Sequence, residues 1–396
     1  MIILKNSKKK RENINILENF KNHDKILLVC TIILIVAGLL NIVTASSRES
    51  VIQYDKSLYY YFFRQSVMII AGIVISMVII NVDTKNYFFL STVLFIGIGI
   101  LLLVPILSST VTRGSQGWIK SKFGAFQPSE FTKPIIIVFL SCFYEKFKKI
   151  FENDNIDGKT SFKQISIAIA FSLIMPILVF LQKDAGTAFI ITIIAGVLFL
   201  YSPFSKKKKT NAIFYSIGLL LFVASIYVLA TGSLFSDEQK SRIFNWFKPC
   251  VNYEDGGYQV CNSYIAFNQG GLTGLGLGKS QQKYSYIPEP HTDSVFAIIA
   301  EEQGAIKSSI VFILYGILLY RIFKIGIKSK KLRNRYMCIG VATYIFVHIF
   351  VNLGGIFGII PLTGVPLPFF TYGGSFTISL IASIAIIQRI NIENKK

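Results

Sequence analysis

ILLVCTIILIVAGLLNIVTAS, residues 26–46, is a continuous apolar stretch without a single charged side chain. A helix of this length crosses a bilayer core of roughly 30 Å at about 1.5 Å per residue. It is too long for the apolar core of a signal peptide, so we interpret it as an uncleaved span. Similar stretches along the chain predict ten transmembrane helices, at residues 26–46, 66–82, 87–107, 131–145, 165–181, 186–203, 211–231, 305–326, 337–359 and 375–390. The predicted fold class is therefore all-α, a polytopic membrane protein.

The composition of the whole chain agrees with this interpretation. Of its 396 residues, 52% are hydrophobic and 16% are charged, and the apolar residues are clustered rather than dispersed as in a soluble domain. The formal net charge is +20, which in a soluble protein would suggest nucleic-acid binding. Here the cations cluster in a few short connections, as membrane topology requires, so we exclude nucleic acid as a partner.

Clusters of Lys and Arg predict which end of the bundle faces the cytoplasm. With ten alternating spans, the two termini and the basic connections at 206–209 and 321–335 all fall on one side. Basic connections favour the cytoplasm, so both termini are predicted to be cytoplasmic. The expected organisation is a basic tail at 1–25, a single transmembrane domain at 26–390 and a short tail at 391–396.

The connection between the seventh and eighth spans, residues 232–292, lies on the opposite, extracytoplasmic side. It is too long for a simple link, and its aromatic content argues against disorder, so we expect short helices lying on the membrane. Cys250 and Cys261 bracket a polar segment within it. On an external loop these two cysteines either form a disulfide or remain free thiols. The other three cysteines lie in or beside apolar runs and are predicted core residues.

Ionisable residues at membrane depth are costly and usually mark a functional cavity. Asp293 precedes an apolar helix and is either an N-cap or a group that faces such a cavity. Glu301 and Glu302 lie two turns further on, in a helix at 294–303 that is too short to span. We expect this helix to dip into the membrane and pack in a protein-lined cavity. Glu130 and Lys133 are three residues apart, so they either pair as inert structure or line a cavity together.

Two other patterns are weak. The segment GLTGLGLGKS, residues 271–280, is similar to a nucleotide-binding P-loop, but it lies on the predicted outer side, where nucleotide is scarce. His23 and His348 have no ligand partners nearby in the sequence, which argues against a His/Cys metal site. Asp184, next to Lys183, is consistent with a plain turn between two spans.

Three blocks of the sequence resemble the SEDS family of shape, elongation, division and sporulation proteins, which includes FtsW, RodA and SpoVE. They are GWIKSKFGAFQPSEFTK (117–133), GGLTGLGLGKSQQKYSYIPEPHTDSVFAIIAEEQG (270–304) and GVPLPFFTYGGS (364–375). Their order and spacing agree with the family, and the sequence of the second block is more similar to FtsW and SpoVE than to RodA. The chain departs from the family pattern at Gly117, where many members have Arg, at Lys183, which adds a charge, and at Ser294, where Phe is usual.

The resemblance implies a peptidoglycan glycosyltransferase that polymerises lipid II at the outer face of the cytoplasmic membrane, in cell division. RodA-like elongation and SpoVE-like sporulation are the alternative subtypes. A lipid II flippase and a non-catalytic scaffold of the division or elongation complex are the alternative functions. The family also implies a single-span class B penicillin-binding transpeptidase as partner, together with other division or elongation proteins.

The resemblance also implies a site. Asp293 matches the essential aspartate of the family and is expected to be the general base in a single inverting displacement. Arg113, Lys133 and Lys183 are the candidates for binding pyrophosphate. A divalent cation, Mg or Mn, would take oxygen ligands from Asp293 or Glu130. The other expected substrate-binding residues are Trp118, Gln127, Ser129, Glu130, Asp184, His291, Thr292, Tyr372 and Ser375.

Overall fold

A computed structural model of the chain describes residues 22–53, 55–108, 117–121, 124–153, 158–233, 237–251, 257–284, 287 and 290–395. The α-helices in these residues are α1 Lys25–Arg48, α2 Tyr60–Asn81, α3 Tyr87–Ser108, α4 Pro128–Lys146, α5 Lys148–Glu152, α6 Gly158–Leu181, α7 Ala185–Tyr201, α8 Lys206–Thr231, α9 Asp237–Trp246, α10 Tyr258–Gly270, α11 Val295–Lys328, α12 Leu332–Ile356 and α13 Gly374–Lys395. A small antiparallel hairpin consists of β1 Ile119–Ser121 and β2 Gly124–Phe126. A π-helical turn, Glu49–Gln53, follows α1.

Each of the ten predicted spans coincides with a helix of the structure, so the all-α polytopic prediction is confirmed. Within the described residues, eight helices are long and apolar enough to cross a membrane. The two predicted spans outside that group are α4 and α7. The first turns of α4 carry Glu130 and Lys133, and α7 has only 17 residues.

The centre of the bundle is formed by α4, α12 and α13. α12 packs against α4, α7, α11 and α13, and α4 also packs against α3 and α7. The apolar window of α13 is 94% buried, whereas that of α8, which packs on α6, is 6% buried. Since lipid tails are as apolar as leucine, an exposed apolar face such as that of α8 is stable inside a bilayer.

One end of the bundle holds a network of ion pairs. Asp24 accepts a hydrogen bond from the Leu27 amide at 2.8 Å, which caps α1, and it pairs with Arg321 near the end of α11. Further pairs at this end join Arg333 to Glu145, Arg389 to Asp83 and Lys331 to Glu393. The basic connection 321–335 supplies Arg321, Lys331 and Arg333 to this network, so we call this end of the bundle the basic end.

At both termini, helical structure extends past the predicted limits 26–390 of the transmembrane domain. α13 continues to Lys395, where the sequence predicted a tail from residue 391. Its last polar side chains find partners on neighbouring elements, as when Asn391 Nδ2 donates to Asn22 O at 2.9 Å. At the N terminus, His23 and Asp24 are already buried in the bundle. The rest of the predicted N-terminal tail, residues 1–21, lies outside the described residues.

The long connection between α8 and α11 contains the short helices α9 and α10, as its composition predicted. Cys250 and Cys261 are joined in a disulfide with an S–S distance of 2.02 Å. Trp246 Nε1, at the end of α9, donates to Gly358 O at 2.8 Å. The connection is therefore packed on the turn that follows α12, at the end of the bundle opposite the basic end.

Candidate active site

The site is organised around a break in α11. Gly304 has φ 75° and ψ 171°, a conformation essentially confined to glycine, and it separates a short arm, residues 295–303, from a long arm, residues 305–328. A Cβ atom at this position would lie 2.4 Å from Gly274 N and 2.5 Å from Leu272 O. The backbone of the glycine-rich segment, residues 271–280, therefore crosses α11 directly at the break. The short arm begins directly after the turn that carries Asp293.

Asp293 lies in a turn, residues 290–294, that other segments hold in place. Three hydrogen bonds from those segments end on its carbonyls, from Tyr372 N to His291 O (2.9 Å), from Thr371 Oγ1 to Thr292 O (3.0 Å) and from Asn352 Nδ2 to Asp293 O (2.7 Å). The donors belong to the third sequence block and to α12. The backbone of Asp293 is thus fixed by residues that are distant from it in sequence.

The carboxylate of Asp293 is half-buried and does not act as the helix cap. The N-cap position of α11 is Ser294, whose Oγ accepts a hydrogen bond from Gln259 Nε2 at 2.9 Å. Asp293 Oδ1 accepts from the Thr292 hydroxyl at 3.1 Å. Of the two alternatives left open by the sequence, the structure favours a side chain directed away from the capping position.

His291 faces the interior rather than the mouth of the site. Its side chain is 1% exposed, and its Nδ1 lies 3.1 Å from Glu49 Oε2 in the π-helical turn after α1. Glu49 Oε1 also accepts a hydrogen bond from the Tyr61 hydroxyl at 3.0 Å. The rings of Tyr61 and His291 are 4.3 Å apart between centroids, and Tyr372 packs on both. This cluster anchors the turn that carries Asp293 to α1 and α2.

A second polar group joins the first and third sequence blocks. Gln127 N donates to Ser375 Oγ at 3.1 Å, and Gln127 Nε2 donates to Asp184 Oδ2 at 3.0 Å. Asp184 Oδ1 accepts from the Thr187 amide at 3.0 Å and so caps α7. The structure thus brings together Gln127, Asp184 and Ser375, although Asp184 also has the structural role that a plain turn would require.

Lys133 is not placed where it could bind a substrate in this conformation. Its side chain is 0% exposed, and its Nζ lies 2.8 Å from both carboxylate oxygens of Glu130. The rings of Tyr344 and Phe376 flank the ammonium at 5.7 and 5.6 Å. A buried ammonium needs a neutralising partner, and Glu130 fills that role. Of the two readings left open by the sequence, the structure supports a buried structural pair.

The other predicted site residues are less closely grouped. Trp118, next to β1, is half-buried, and Lys183 is exposed with φ 63° at the turn before α7. Ser129 is fully buried, and its hydroxyl has no hydrogen-bond partner within the described part of the chain. Arg113 lies outside the described residues.

Glu301 and Glu302 bind the glycine-rich segment. Glu301 Oε1 accepts from the Gln281 amide at 2.8 Å, and its Oε2 accepts from the Ser280 hydroxyl. Glu302 Oε1 lies 3.1 Å from Lys283 Nζ, with both side chains at most 2% exposed. The short arm is enclosed by protein, in agreement with the expected packing of this helix, and backbone amides and Lys283 bind its two carboxylates.

The predicted divalent cation has a limited set of ligands. Across the described ranges, no group of three or more His, Cys, Asp or Glu side chains is arranged to hold a metal ion. Glu130 does not fit as a ligand, because both of its oxygens face Lys133. Asp293 fits as a single oxygen ligand, and Mg²⁺ commonly binds one or two carboxylates together with substrate phosphates.

Several residues that shape the site were missed from the sequence. Asn352 was hidden in an apolar helix, although an asparagine there is a polar group that needs partners. Thr371 stands inside the third block and could have been selected with it. Glu49 and Tyr61 belong to segments near the predicted first and second spans, and nothing in their local sequence indicates that they meet His291.

Comparisons with known proteins agree on one family. The family model for FtsW, RodA and SpoVE, described as "Cell cycle protein", matches residues 24–396. The "Probable peptidoglycan glycosyltransferase FtsW" of Bacillus subtilis is 32% identical over 95% of this chain and 93% of that protein. "Stage V sporulation protein E" of the same organism is 31% identical over 93% of this chain and 96% of that protein.

A solved structure has the same fold. It is described as "Structural coordination of polymerization and crosslinking by a peptidoglycan synthase complex" and matches with a TM-score of 0.70 at 20% identity. The match covers 94% of this chain and 99% of the other.

Proposed function

The chain belongs to the FtsW, RodA and SpoVE family of cell cycle proteins, and from this premise we propose that it is a peptidoglycan glycosyltransferase. It polymerises lipid II into glycan strands at the outer face of the cytoplasmic membrane, in cell division. One observation carries the assignment of the site. The half-buried carboxylate of Asp293 is held on a turn fixed by the third sequence block, at the end of the bundle opposite the basic end.

The proposed reaction is a single displacement with inversion. Asp293 accepts the proton of a sugar hydroxyl on one lipid II molecule, and the oxygen attacks the anomeric carbon of the other glycan. The new glycosidic C–O bond forms as the C–O bond to lipid pyrophosphate breaks, and the proton passes from Asp293 to solvent. Pyrophosphate is a good leaving group, so one carboxylate is sufficient and the paired carboxylates of glycosidases are not needed.

The backbone around Asp293 keeps the base in place for this step. The donors Asn352, Thr371 and Tyr372 fix three consecutive carbonyls, and His291 anchors the turn from the inner side. A fixed position matters because a shift of about 1 Å in a reacting group can cost on the order of 100-fold in rate. We therefore assign His291, Thr292 and Tyr372 to positioning of the turn.

Positive charge must stabilise the departing pyrophosphate. The burial of Lys133 against Glu130 argues against that task for Lys133, whereas Lys183 is exposed and is the candidate that we favour. Arg113 remains a candidate from the sequence. Gln127, Ser129, Trp118 and Ser375 are proposed to shape the wall next to the sugar.

A divalent cation is proposed only as an accessory to substrate. It would be held by Asp293 together with pyrophosphate oxygens and would supply positive charge to the leaving group. Polymerisation at the full rate in the presence of a chelator would show that the reaction does not require the cation.

Two observations support an outer location for the site. The cysteines of the 232–292 connection form a disulfide, and disulfides persist in oxidising compartments outside the cytoplasm. Basic connections collect at the other end of the bundle, as they do on cytoplasmic faces. Both observations support the proposal that the site opens where a substrate that is half sugar and half lipid meets the membrane surface.

A transpeptidase is proposed as partner. The solved structure with the same fold is described as coordinating polymerization with crosslinking in a synthase complex. The partner proposed for this chain is a single-span class B penicillin-binding transpeptidase, which would crosslink the strands, alongside other division or elongation proteins.

The activity can be tested with the purified chain and its cognate transpeptidase on labelled lipid II. A transpeptidase-blocking antibiotic isolates glycan growth from crosslinking. Long strands are expected, and they disappear when the chain is left out of the reaction.

A parallel assay separates the alternative functions. Fluorescent lipid II in vesicles containing the chain is exposed to a quencher that cannot cross the membrane. Rapid loss of inner-leaflet fluorescence without any polymer would support a flippase. If an intact complex neither forms polymer nor moves lipid II across the membrane, the result would support a scaffold and contradict the proposal.

A further inference from the structure

A cavity of about 300 Å³ lies at the basic end of the bundle, far from the turn that carries Asp293. It is formed where the start of α1 meets the last turns of α11 and α13. The backbone around it is tied together, because Asp24 N donates to Gln388 Oε1 at 2.8 Å and Asn391 Nδ2 donates to Asn22 O at 2.9 Å. The cavity is thus a defined recess between three helix ends.

The lining of this recess is strongly basic. Its charged side chains are Lys25, Arg321, Lys324, Lys328, Lys395 and the carboxylate of Asp24. Asp24 pairs with Arg321, so the charge of that pair is cancelled and four lysines remain. Lys25, Lys328 and Lys395 are exposed, and Lys395 Nζ donates to His23 O at 3.4 Å. The recess is therefore suited to an anion.

The flanks of the recess are apolar. On α1, Ile26 is 52% exposed and Val29 is 54% exposed. On α11, Phe323 is 46% exposed and Ile327 is 77% exposed. Ile26 lines the recess itself, and Val29, Phe323 and Ile327 lie within one helical turn of its lining residues along the same helices. A ligand that combined an anionic head with hydrocarbon chains would contact both regions.

We propose that this recess binds the phosphate of an anionic phospholipid such as phosphatidylglycerol, with its acyl chains along α1 and α11. Basic pockets between transmembrane helices at a membrane surface are suited to anionic lipid headgroups. Free phosphate would use the same lysines but would gain nothing from the apolar flanks. The bound lipid bridges α1 and α11, whose connection also includes the hydrogen bond from Gln303 Nε2 to Asn41 Oδ1 at 2.8 Å. This inference does not depend on the proposed polymerase activity.

Native mass spectrometry of the full-length chain in detergent tests the proposal. The protein is titrated with phosphatidylglycerol, with neutral phosphatidylcholine, and with inorganic phosphate or glycerophosphoglycerol as soluble competitors. The site variant is Lys25→Gln/Lys324→Gln/Lys328→Gln. The matched control is Lys163→Gln/Lys206→Gln/Lys207→Gln, three exposed lysines that do not line the recess and lose the same charge.

The wild type and the control are expected to retain phosphatidylglycerol, and the site variant to bind it at least about tenfold more weakly. Phosphatidylcholine is expected to bind all three proteins equally weakly. The same lipid should raise the thermal unfolding temperature of the wild type and the control but not that of the site variant.

Three results would overturn the proposal. The first is equal retention of phosphatidylglycerol by the site variant and the control. The second is equal retention of the neutral lipid by the wild type. The third is displacement of the lipid by inorganic phosphate at equal concentration, which would assign the recess to a small soluble anion.

Discussion

The two ends of the short arm of α11 use carboxylates in opposite ways. Asp293 precedes the arm and is half-buried, and its oxygens are not committed to capping the helix. Glu301 and Glu302 lie at the far end of the arm, where they are at most 1% exposed and bind the 280–283 segment. The first arrangement leaves a carboxylate available for a reaction. In the second arrangement, two carboxylates hold neighbouring segments of the chain together.

The difference shows that an ionisable residue in an apolar helix has no single meaning. What decides its role is the set of donors that surrounds it. Backbone amides and Lys283 surround the glutamates. The carboxylate of Asp293 accepts from the neighbouring Thr292 hydroxyl, and donors from other segments bind the backbone of its turn. Separate changes at the Gly304 break, at the pair of Glu302 and Lys283, at Asn352 and at the basic end test this difference.

The largest effect is expected from Gly304→Ala. Alanine would have to adopt φ 75° and would place its Cβ 2.4 Å from Gly274 N, so the glycine-rich segment would be forced off the short arm. The cost should exceed about 3 kcal/mol. The folded yield and the thermal unfolding temperature in detergent are the measurements.

Gly316→Ala, in the long arm of the same helix, is the matched control because a Cβ there meets no atom within 4 Å. If Gly304→Ala unfolded at the same temperature as this control, the break would not be a structural requirement.

Glu302→Gln should be the next most damaging change. It leaves the ammonium of Lys283, which is 2% exposed, buried without its carboxylate partner. Breaking a buried pair in this way costs about 3–5 kcal/mol. The double variant Lys283→Met/Glu302→Gln removes both charges and should recover part of the lost thermal stability. If the double variant were less stable than the single one, the ion pair would not be the reason for the loss.

Asn352→Ala should act mainly on the position of Asp293. It removes the hydrogen bonds from Nδ2 to Asp293 O and to Val365 O, so the turn would lose one of its fixed points. We expect kcat to fall by roughly tenfold with KM almost unchanged. Asn41→Ala is the control, because it removes a partly buried hydrogen bond from Gln303, at the opposite end of the short arm. Equal kcat values for the two variants would contradict a positioning role for Asn352.

The smallest effect is expected from lowering the pH, which acts on Asp24 at the basic end. Burial raises the pKa of Asp24, but the hydrogen bonds from Arg321 and the Leu27 amide and the charge of Arg321 outweigh it and hold the pKa below the ordinary 3.8. The stabilisation is therefore fully present above that value and is lost as the pH falls below it.

The difference in unfolding temperature between the wild type and Asp24→Asn is thus expected to shrink between about pH 5 and about pH 2. A difference that stays constant over this range would mean that the ion pair does not contribute through its charge.

Much of the architecture could be predicted from the sequence because its signals are local. Continuous apolar stretches predicted ten spans, and each of them coincides with a helix of the structure. The short helices of the 232–292 connection were predicted from its composition. The break at Gly304 agrees with the short helix that the sequence predicts before a span beginning at residue 305, but the conformation of this glycine was not predicted. Its φ of 75° depends on the glycine-rich segment that crosses there, which is a tertiary contact.

The candidate site was only partly predictable for the same reason. Gln127, Asp184 and Ser375 are together in the structure, and each lies in a segment that the sequence marked as polar. Lys133 was selected for its charge, but its burial against Glu130 depends on the packing of Tyr344 and Phe376 from other helices. Residue type indicates what a side chain can do, and only the fold determines whether a substrate can reach it.

The most direct test compares Asp293→Asn with Glu301→Gln in the lipid II polymerisation assay, with each rate normalised to folded protein. The account predicts that Asp293→Asn folds normally and loses at least about 100-fold in rate, as expected for removal of a general base. It predicts that Glu301→Gln is less stable but stays within about tenfold of the wild-type rate per folded molecule. Lys283→Met/Glu302→Gln can replace Glu301→Gln if too little of the latter folds. Full activity of Asp293→Asn, or an equal loss of specific activity in both proteins, would contradict the account.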